Sequence, residues 1–447
     1  MDKSTKEGSK KKIGHLPIIN AYAAGIDVSD NEMAVALPIN DYIEVVYFKC
    51  FTSDLHSLAA LLKEHGVQTI AMESTGVYWV SLFEILQDHG FEVYLVNAKH
   101  VKNVTGRKSD EGDAVWIQKL HSCGLLSASF QPDNQVRALR SMARHRKNLV
   151  RTCSTYVNRI QKAMELMNIK LHTVISDIDG KTGKLIIEAI LAGERDAKTL
   201  SKLRDPGIKA SEEDIIKSLE GNWHQEHLFE LRQCYEMYQF HQKMIRECDV
   251  QAKKLLDGMI ASKSDGELPV IEPSKKRKRQ YKNRISFDMT AYLKELVGVD
   301  LTEITGISEL SALTIISEIG TDMSRWPTEH HFTSWLGLAP NTKISGGKTI
   351  SSRIMKKKQN AGETFRTAAN SLYNSKAPLA NFYKRIKAKA GPGKATVATA
   401  RKIAIIVYKM IQTQTPFEPQ MLEKYQEQHK MYQIKQLRKR LEILEAA

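Results

Sequence analysis

Four acidic residues have the types and positions that phosphodiester chemistry requires. Asp27 and Glu73 each end a short apolar run, and Asp110 and Asp113 lie three residues apart where a helical pattern begins. Residues three apart on a helix share a face, and the ends of neighbouring strands can meet beside that face. Clustered carboxylates hold divalent cations such as Mg²⁺ or Mn²⁺ against phosphate oxygens. The four acids therefore predict a metal site that acts on nucleic acid.

Each of these acids, taken alone, is more simply a helix cap, a turn residue or a solvated charge. The metal-site interpretation requires all four to meet in the fold, because carboxylates crowded together without a cation repel one another. Whether the four acids meet depends on the strands and helices that carry them.

Those elements alternate between strand and helix. Three β-like runs, within AGIDVSDNEMAVAL and EVVYFKCFT, come first; a helix in DLHSLAALLKEHG, a strand in QTIAMES, a helix in VYWVSLFEILQDHG, a strand in FEVYLVN and a helix in DEGDAVWIQKLHSCG follow. This is the order of the ribonuclease-H-like fold. In it Asp27 and Glu73 end two strands that can be neighbours, and the third and fourth acids open the last helix.

The rest of the chain is predicted to be mainly helical, which gives the fold class α/β plus α. Two long runs with helical spacing predict a coiled-coil arm, the second, from about Trp223 to Leu256, returning antiparallel to the first. The predicted domains are a flexible basic arm over 1–20, the α/β domain over 21–130, the helical arm over 131–260, a basic linker over 261–290, a compact helical domain over 291–415 and a charged helix over 416–447.

The composition restricts the class of protein and its partners. The chain has 447 residues, 42% hydrophobic and 26% charged, with a net charge of +15, which is typical of a globular protein with a polyanionic partner. Five cysteines without a CxxC pattern indicate a reducing compartment and no structural zinc. We expect a cytoplasmic, nucleoid-associated prokaryotic protein, because there is neither a signal-peptide pattern nor an apolar run of about 18 residues.

A serine beside two glycines is the second group that could do chemistry. Ser345 lies in a polar segment that we predict to be a loop, and Gly346 and Gly347 allow close backbone approach to a phosphate. Lys343 and Lys348 place positive charge beside the hydroxyl. No histidine adjoins the serine, so its activation would have to come from a metal, a cation or the carboxylates. On spacing alone, such a segment is more often an ordinary turn.

Together these segments resemble the IS110 family of transposases. GIDVS, MESTGVYW and KSDEGDAVWI look like the DEDD, RuvC-like domain of that family, and the stretch from EITGISELS to SGGKT is similar to its C-terminal domain. The resemblance covers residues 21–170 and 300–412. It implies that Ser345 attacks a DNA phosphodiester and forms a covalent phosphoserine link, while metal at the four acids stabilises the phosphate.

The resemblance also implies partners. Members of the family bind a structured RNA made by the element itself, and this bridge RNA pairs with donor and target DNA, so the choice of sequence is delegated to the RNA. They dimerise through the coiled coil, which implies a homodimer or a tetramer on double-stranded DNA. Because Ser345 and the acids fall in different predicted domains, a composite site would need those domains to dock, within one subunit or between two.

Basic side chains predicted to contact nucleic-acid phosphates fall into three groups. They lie at the start of the arm, in the linker and around the serine: Arg137, Arg140, Arg144 and Lys147; Lys275, Lys276 and Arg277; Lys343, Lys348, Arg353, Lys356 and Lys357. Contacts of this kind carry no sequence information. A solvated helix exterior explains the first group equally well.

The segment TGISELSALTIISEIG has two interpretations. It resembles a helix–hairpin–helix element, in which Gly306 and the following helix N-terminus would meet a phosphate backbone. A plain αα-hairpin fits the same residues.

Two other classes of protein remain compatible with the residues. A RuvC-like nuclease or Holliday-junction resolvase would hydrolyse DNA with a metal-activated water, release free ends and leave Ser345 a structural role. For a nucleic-acid-binding protein that kept the fold without catalysis, we expect the Asp27→Ala variant to process DNA as the wild type does, or neither protein to process it.

Overall fold

The computed structural model describes residues 17–39, 42–97, 110–263, 283–354 and 359–418, with Met431 and Arg438; side chains in the helix that begins at Asp110 are described from Gly112 onward. Several predicted features lie outside these residues: most of the arm over 1–20, the run Lys275–Arg279, Lys356, Lys357 and most of the helix over 416–447. The chain divides into two compact units, Met1–Gln131 and Pro132–Ala447. Each has its own buried apolar core.

The first unit contains a five-stranded mixed sheet. Its strands are β1 (Ala23–Asp27), β2 (Glu32–Ile39), β3 (Tyr42–Lys49), β4 (Thr69–Glu73) and β5 (Glu92–Val96). Their order across the sheet is β3-β2-β1-β4-β5, with β2 antiparallel to β1 and β3, and with β4 parallel to β1 and β5. The predicted α/β organisation of this region is confirmed.

Helices cover both faces of this sheet. They are α1 (Thr52–Glu64), α2 (Trp79–Asp88) and α3 (Asp110–Ser122). Successive residues of a strand face opposite sides of a sheet. Accordingly Ile26 and Met72 are buried with the apolar residues of α1 and α2, whereas Ala71 is buried with Ile117 of α3.

Small residues let α3 lie directly against the sheet. A Cβ atom on Gly25 would be 2.3 Å from the backbone nitrogen of Gln118 and 2.5 Å from the carbonyl oxygen of Ala114. Ala34 and Ala36 of β2 form a buried cluster with Ala114. The backbone of α3 therefore packs on β1 without an intervening side chain, which fixes the position of the helix relative to the strand.

Two long helices form the first part of the second unit. They are α4 (Asn134–Leu166), capped by the side chain of Asp133, and, after four short helices, α9 (Gln225–Ala261). The short helices are α5 (Leu171–Val174), α6 (Lys181–Leu191), α7 (Ala197–Ser201) and α8 (Glu212–Ser218).

The long helices run antiparallel, as predicted. Residue pairs in contact ascend along α4 and descend along α9: Gln135 with Ser262, Arg146 with Asp249, and Cys153 with Gln242. Supercoiling of the pair and its pairing with another chain remain predictions.

The remainder of the second unit is mostly helical. It consists of α10 (Met289–Val297), α11 (Glu309–Ile319), α12 (Glu329–Trp335), the hairpin strands β6 (Lys343–Ser345) and β7 (Lys348–Ser351), α13 (Asn360–Ser371), α14 (Pro378–Ala390) and α15 (Pro392–Thr413). Phe332 lies at the centre of its core, with ring centroids 6.4 Å from Phe365 and 5.7 Å from Tyr408. No helix in the described part of the chain is long and apolar enough to cross a membrane.

Candidate active site

Asp27 and Glu73 end neighbouring parallel strands. Ile26 of β1 pairs with Met72 of β4, so the next residue of each strand is one of the two acids. Asp27 follows Gly25 by two positions and Glu73 follows Ala71 by two positions; both acids therefore share the sheet face that α3 covers. Glu73 is buried and Asp27 is half-buried. Two of the predicted metal ligands thus share one edge and one face of the sheet.

The direction of α3 brings its first turn to the same edge. Ser122, at the end of α3, accepts backbone hydrogen bonds from Ile19 and Asn20, which precede β1. Gln118 donates to the carbonyl oxygen of Ala23 at 3.1 Å. Moving toward the start of α3 therefore means moving along β1 toward its last residue. The turn that carries Asp110 and Asp113 consequently lies at the Asp27 end of the strand.

A divalent metal fits this edge by the chemistry of its donors. Mg²⁺ and Mn²⁺ prefer carboxylate oxygens, and the edge carries several carboxylates on adjacent elements. In the part of the chain whose side chains are described, no three His, Cys, Asp or Glu residues are grouped closely enough to hold one ion. The side chain of Asp110 falls outside that part. The backbone thus brings the acids to one edge, but Asp27, Glu73 and Asp113 alone do not form a complete set of ligands for one ion.

Two buried polar residues of α3 that sequence reasoning missed fasten the helix to the sheet. Besides its bond to β1, Gln118 donates to the Oγ of Ser122 at 2.9 Å. His121 Nε2 shares a 2.9 Å hydrogen bond with Thr69 Oγ1 on β4, and burial lowers the pKa of His121. No local pattern in the sequence signalled them, because Gly25 and Ala71, the small residues that admit α3, are far apart in sequence and meet only through the pairing of β1 with β4.

Ser345 lies on a β-hairpin rather than in a loop. It is the last residue of β6, directly opposite Lys348 at the start of β7. Gly346 and Gly347 form the turn with φ of +55° and +74°, and positive φ at both central residues is what a two-residue type I′ hairpin turn requires. The glycines therefore define the hairpin tip, which the sequence interpretation treated as an irregular loop.

The hairpin is exposed along its length and anchored only at its base. Residues 341–350 are all exposed, including Ile344 at 65% and Ile350 at 70%. At the base, Pro340 is bridged to Ile354, and the backbone N–H of Asn341 donates to the carbonyl oxygen of Arg353 at 3.0 Å. The serine hydroxyl is thus presented to solvent at the end of a short two-stranded ribbon.

The helices on either side of the hairpin hold that base in place. A Cβ atom on Gly362 of α13 would be 2.4 Å from the carbonyl oxygen of Leu336, which directly follows α12. Arg366 of α13 donates to the carbonyl oxygen of Gly337 at 2.9 Å. The segment that leads into β6 is therefore packed tightly on the first turns of α13.

The basic residues at the start of the arm contact other parts of the chain. Arg144 makes two 2.8 Å hydrogen bonds to the carboxylate of Glu318 on α11, and Arg140 donates to the carbonyl oxygens of Ser317 and Glu318 at 3.1 and 2.8 Å. Burial lowers the pKa of Arg140 to about 10. These contacts give both arginines partners on α11, and Arg144 keeps 51% of its side chain exposed. Contact of either arginine with nucleic acid remains a prediction.

The other predicted cations are in different surroundings. Arg137 hydrogen-bonds Asn134 within α4. Lys147 is exposed and lies 3.9 Å from Glu363. Lys343, Lys348 and Arg353 are exposed on and beside the hairpin. Lys275, Lys276, Arg277, Lys356 and Lys357 lie outside the described residues. Contact of these cations with nucleic acid remains a prediction.

Gly306, the key glycine of the helix–hairpin–helix interpretation, has a packing role. It precedes α11 with φ of +102°, and a Cβ atom there would be 2.7 Å from the carbonyl oxygen of Ala368. Close approach to α13 therefore requires glycine at this position. Whether the element also contacts DNA stays a prediction.

The five-stranded mixed sheet, with acids at the ends of β1 and β4, defines a class, the proteins with a RuvC-like domain. Residues 24–169 match a transposase family model, DEDD_Tnp_IS110, and residues 300–384 match the model of the Transposase IS116/IS110/IS902 family. No curated protein matches the chain. The two matches together cover just over half of the chain, and the protein belongs to the IS110 family of transposases. Its substrate is therefore DNA.

Proposed function

We propose that this transposase cuts and rejoins DNA through a covalent phosphoserine at Ser345, with a divalent metal held by Asp27, Glu73, Asp110 and Asp113. The observation that carries the proposal is the exposed hairpin tip, where the only hydroxyl lies opposite Lys348. A nucleophile that must reach a DNA phosphate needs this exposure, and a residue with a purely structural role does not.

The proposed reaction is a transesterification, in which each phosphoester bond that breaks is replaced by a new one. The Oγ of Ser345 forms a bond to a DNA phosphorus as the bond from that phosphorus to the leaving strand oxygen breaks. Oγ gives up its proton, and the leaving oxygen takes one up. Attack by a strand hydroxyl on the phosphoserine then reverses these changes and rejoins DNA.

Lys343 and Lys348 bind the phosphate at the tip. Residues directly opposite in an antiparallel pair have Cβ atoms roughly 5 Å apart, so the ammonium group of Lys348 can reach both the serine oxygen and a phosphate bound to it. A neighbouring cation favours the ionised form of a hydroxyl. This supplies activation where no histidine adjoins the serine.

The acids at the sheet edge bind Mg²⁺ or Mn²⁺ on this proposal. When bound, the cation neutralises charge that develops on the phosphate and the leaving oxygen. Gly25 and the buried polar residues of α3 hold Asp110 and Asp113 at the edge that carries Asp27 and Glu73. Because Ser345 belongs to the other unit, the complete site requires the serine domain over 291–415 to dock on the RuvC-like domain over 21–130, within a chain or between chains.

Family resemblance supports the remaining parts of the proposal. A structured bridge RNA made by the element pairs with donor and target DNA and selects the sites. The arm over 131–260 pairs with that of a second copy, in a dimer or tetramer, and the protein acts on the nucleoid in the cytoplasm. The basic linker over 261–290, together with exposed cations such as Lys147 and Arg353, contacts nucleic-acid phosphates.

The serine is tested by trapping the covalent complex. Wild-type protein is mixed with a plasmid that carries the native element and its flanks, quenched in detergent and resolved on a denaturing gel. We expect a protein–DNA adduct that is absent in Ser345→Ala and retained in Ser352→Ala, an exposed serine of the same segment. Cleaved DNA with free ends and no adduct in the wild type would favour the resolvase alternative.

The RNA is tested separately. Protein purified from cells that carry the native element should retain one abundant RNA from the element's own non-coding sequence. Recovery of unrelated cellular RNA alone would remove RNA guidance and leave recombination unaffected.

A further inference from the structure

A stretch of the second unit, residues 364–417, is basic and free of acids. Residues 364–417 contain ten Lys and Arg residues and no Asp or Glu. Five of the cations surround the junction of α14 and α15, and we call them the α14–α15 corner: Arg385, Lys387, Lys389, Lys394 and Lys402. Arg385, Lys389 and Lys394 are exposed, whereas Lys387 and Lys402 are half-buried.

Helix dipoles explain only part of this charge. Lys387 and Lys389 lie in the last turn of α14, where the negative end of the dipole favours cations. Lys394 lies in the first turn of α15, where the positive end disfavours them. Arg385 and Lys389 are four residues apart, a spacing at which like charges repel. The corner thus keeps cations at positions that are unfavourable for the chain alone.

Aromatic rings lie close to several of these cations. The guanidinium carbon of Arg385 and the Nζ of Lys402 lie 5.5 and 4.8 Å from the centre of the same ring, Phe382. Burial, and then the charge of Arg385, lower the pKa of Lys402. Lys387 Nζ lies 3.9 Å from the ring centre of Tyr373.

Four of these cations have no ion-pair partner among the described residues. In the described part of the chain, no carboxylate is within ion-pair distance of Arg385, Lys387, Lys389 or Lys394. The closest such pair along the same helix is Lys409 with Glu329, near the other end of α15.

We propose that the α14–α15 corner binds the phosphate backbone of the DNA duplex that is recombined. Phosphates would neutralise cations that lack an ion-pair partner in the described part of the chain, and backbone contacts of Lys and Arg hold a duplex without reading its sequence. The proposal rests on DNA being the substrate of the family and is independent of the role of Ser345.

The spacing between the corner and the serine hairpin suits one duplex. Segments at the base of the hairpin pack on the first turns of α13. The other end of α13 is close to the corner, because Thr396 of α15 donates to the Oδ1 of Asn370. The contacts at the two places, at Gly362 and Asn370, are eight residues apart on α13, about 12 Å along the helix. That distance equals roughly three to four steps along a DNA strand.

The test measures how salt weakens DNA binding. In a Ser345→Ala background, which forms no covalent link, the triple variant Arg385→Gln, Lys389→Gln and Lys394→Gln is titrated with a fluorescent 30-base-pair duplex of arbitrary sequence between about 50 and 200 mM salt. The plot of log K against log salt has a negative slope, and each lost phosphate contact makes it shallower by about 0.9. We therefore expect the slope of the triple variant to be shallower by roughly 2 to 3.

The matched control removes the same charge elsewhere. Lys198, Lys202 and Lys209 are exposed in the same unit, in a stretch with seven acids between Glu194 and Glu220. In the Ser345→Ala background, the triple variant Lys198→Gln, Lys202→Gln and Lys209→Gln should keep the slope of that background. The double variant Lys389→Arg and Lys394→Arg, which preserves the charge, should keep it as well. Equal changes of slope in the two triple variants would overturn the proposal.

The same titration with duplex RNA distinguishes the partner. Weaker binding to RNA with unchanged binding to DNA would overturn the assignment to DNA. Loss of the phosphoserine adduct in otherwise wild-type protein would refute the serine mechanism and leave this binding result standing.

Discussion

Gly25→Ala tests the close contact that brings the acids to one edge. The added methyl group would lie 2.3 Å from the nitrogen of Gln118, 2.5 Å from the carbonyl oxygen of Ala114 and 2.7 Å from the Cα of Gln118. All three are backbone atoms, so no side-chain rotation relieves the overlap, and α3 must move away from β1.

The magnitude follows from that overlap. Overpacking a well-packed core costs about 1 to 3 kcal/mol, and three backbone contacts this short place the variant near the upper end, at about 3 kcal/mol. In a domain of this size each kcal/mol shifts the melting midpoint by roughly 3 to 5 °C. We therefore expect the transition of the first unit to fall by roughly 10 °C, and the adduct to decrease with it, because the turn with Asp110 and Asp113 moves.

The assay is thermal unfolding followed by circular dichroism or calorimetry. Gly66→Ala is the control: it lies in the same unit with φ of +69° and nothing within 4 Å of the added methyl, so it should cost only about 1 kcal/mol of backbone strain. Ala114→Gly should not rescue Gly25→Ala, because the overlap involves the carbonyl oxygen. A Gly25→Ala midpoint equal to that of Gly66→Ala would refute the packing of α3 on β1.

Three further predictions concern buried charge, pH and metal. Glu318→Ala should lower the stability of the second unit by about 3 kcal/mol, because it leaves the largely buried side chain of Arg140 without its carboxylate partner. The control Glu329→Ala, which removes the 3.9 Å pair with Lys409, should cost under about 1 kcal/mol. Equal losses of stability in the two variants would contradict the role of Glu318. Burial lowers the pKa of His121, so the unfolded chain takes up a proton below about pH 6.5 that the folded chain does not. The contribution of His121 to the free energy of unfolding is therefore complete above that pH and falls as the pH decreases through it. Urea titrations at several pH values should show a smaller decrease in His121→Gln. Chelation of divalent metal should abolish the adduct and added Mg²⁺ should restore it, whereas full adduct in excess EDTA would contradict the metal proposal.

The sequence was sufficient to predict the elements of the first unit and the strand positions of Asp27 and Glu73. Apolar runs ending in single acids, separated by amphipathic helices, are a strong local signal. The closeness of α3 was not predicted, because its cause is a set of small residues on three strands. Gly25, Ala34 and Ala71 are far apart in sequence, and only the pairing of β1 with β2 and β4 puts them on one face.

The contacts of the basic residues could not be predicted from their spacing. Arg140 and Arg144 have the spacing of an exposed basic stripe, and they contact α11 only because Glu318, more than 170 residues later, packs against them. The conformation of the two glycines after Ser345 was likewise not predicted. Gly346 and Gly347 suggested a phosphate loop, whereas their positive φ values make a hairpin turn, because local composition does not distinguish a loop from two short strands.

The central claim, that Ser345 becomes covalently bound to DNA, is tested most directly by mass spectrometry of the quenched complex after nuclease and trypsin digestion. Cleavage after Lys343 and Lys348 releases the peptide Ile344–Lys348, in which Ser345 carries the only hydroxyl group. We predict that this peptide gains the mass of a nucleotide in the wild type, and that the gain is absent in Ser345→Ala. An unmodified Ile344–Lys348 peptide, with the nucleotide on another peptide or on none while DNA is cut, would contradict the account.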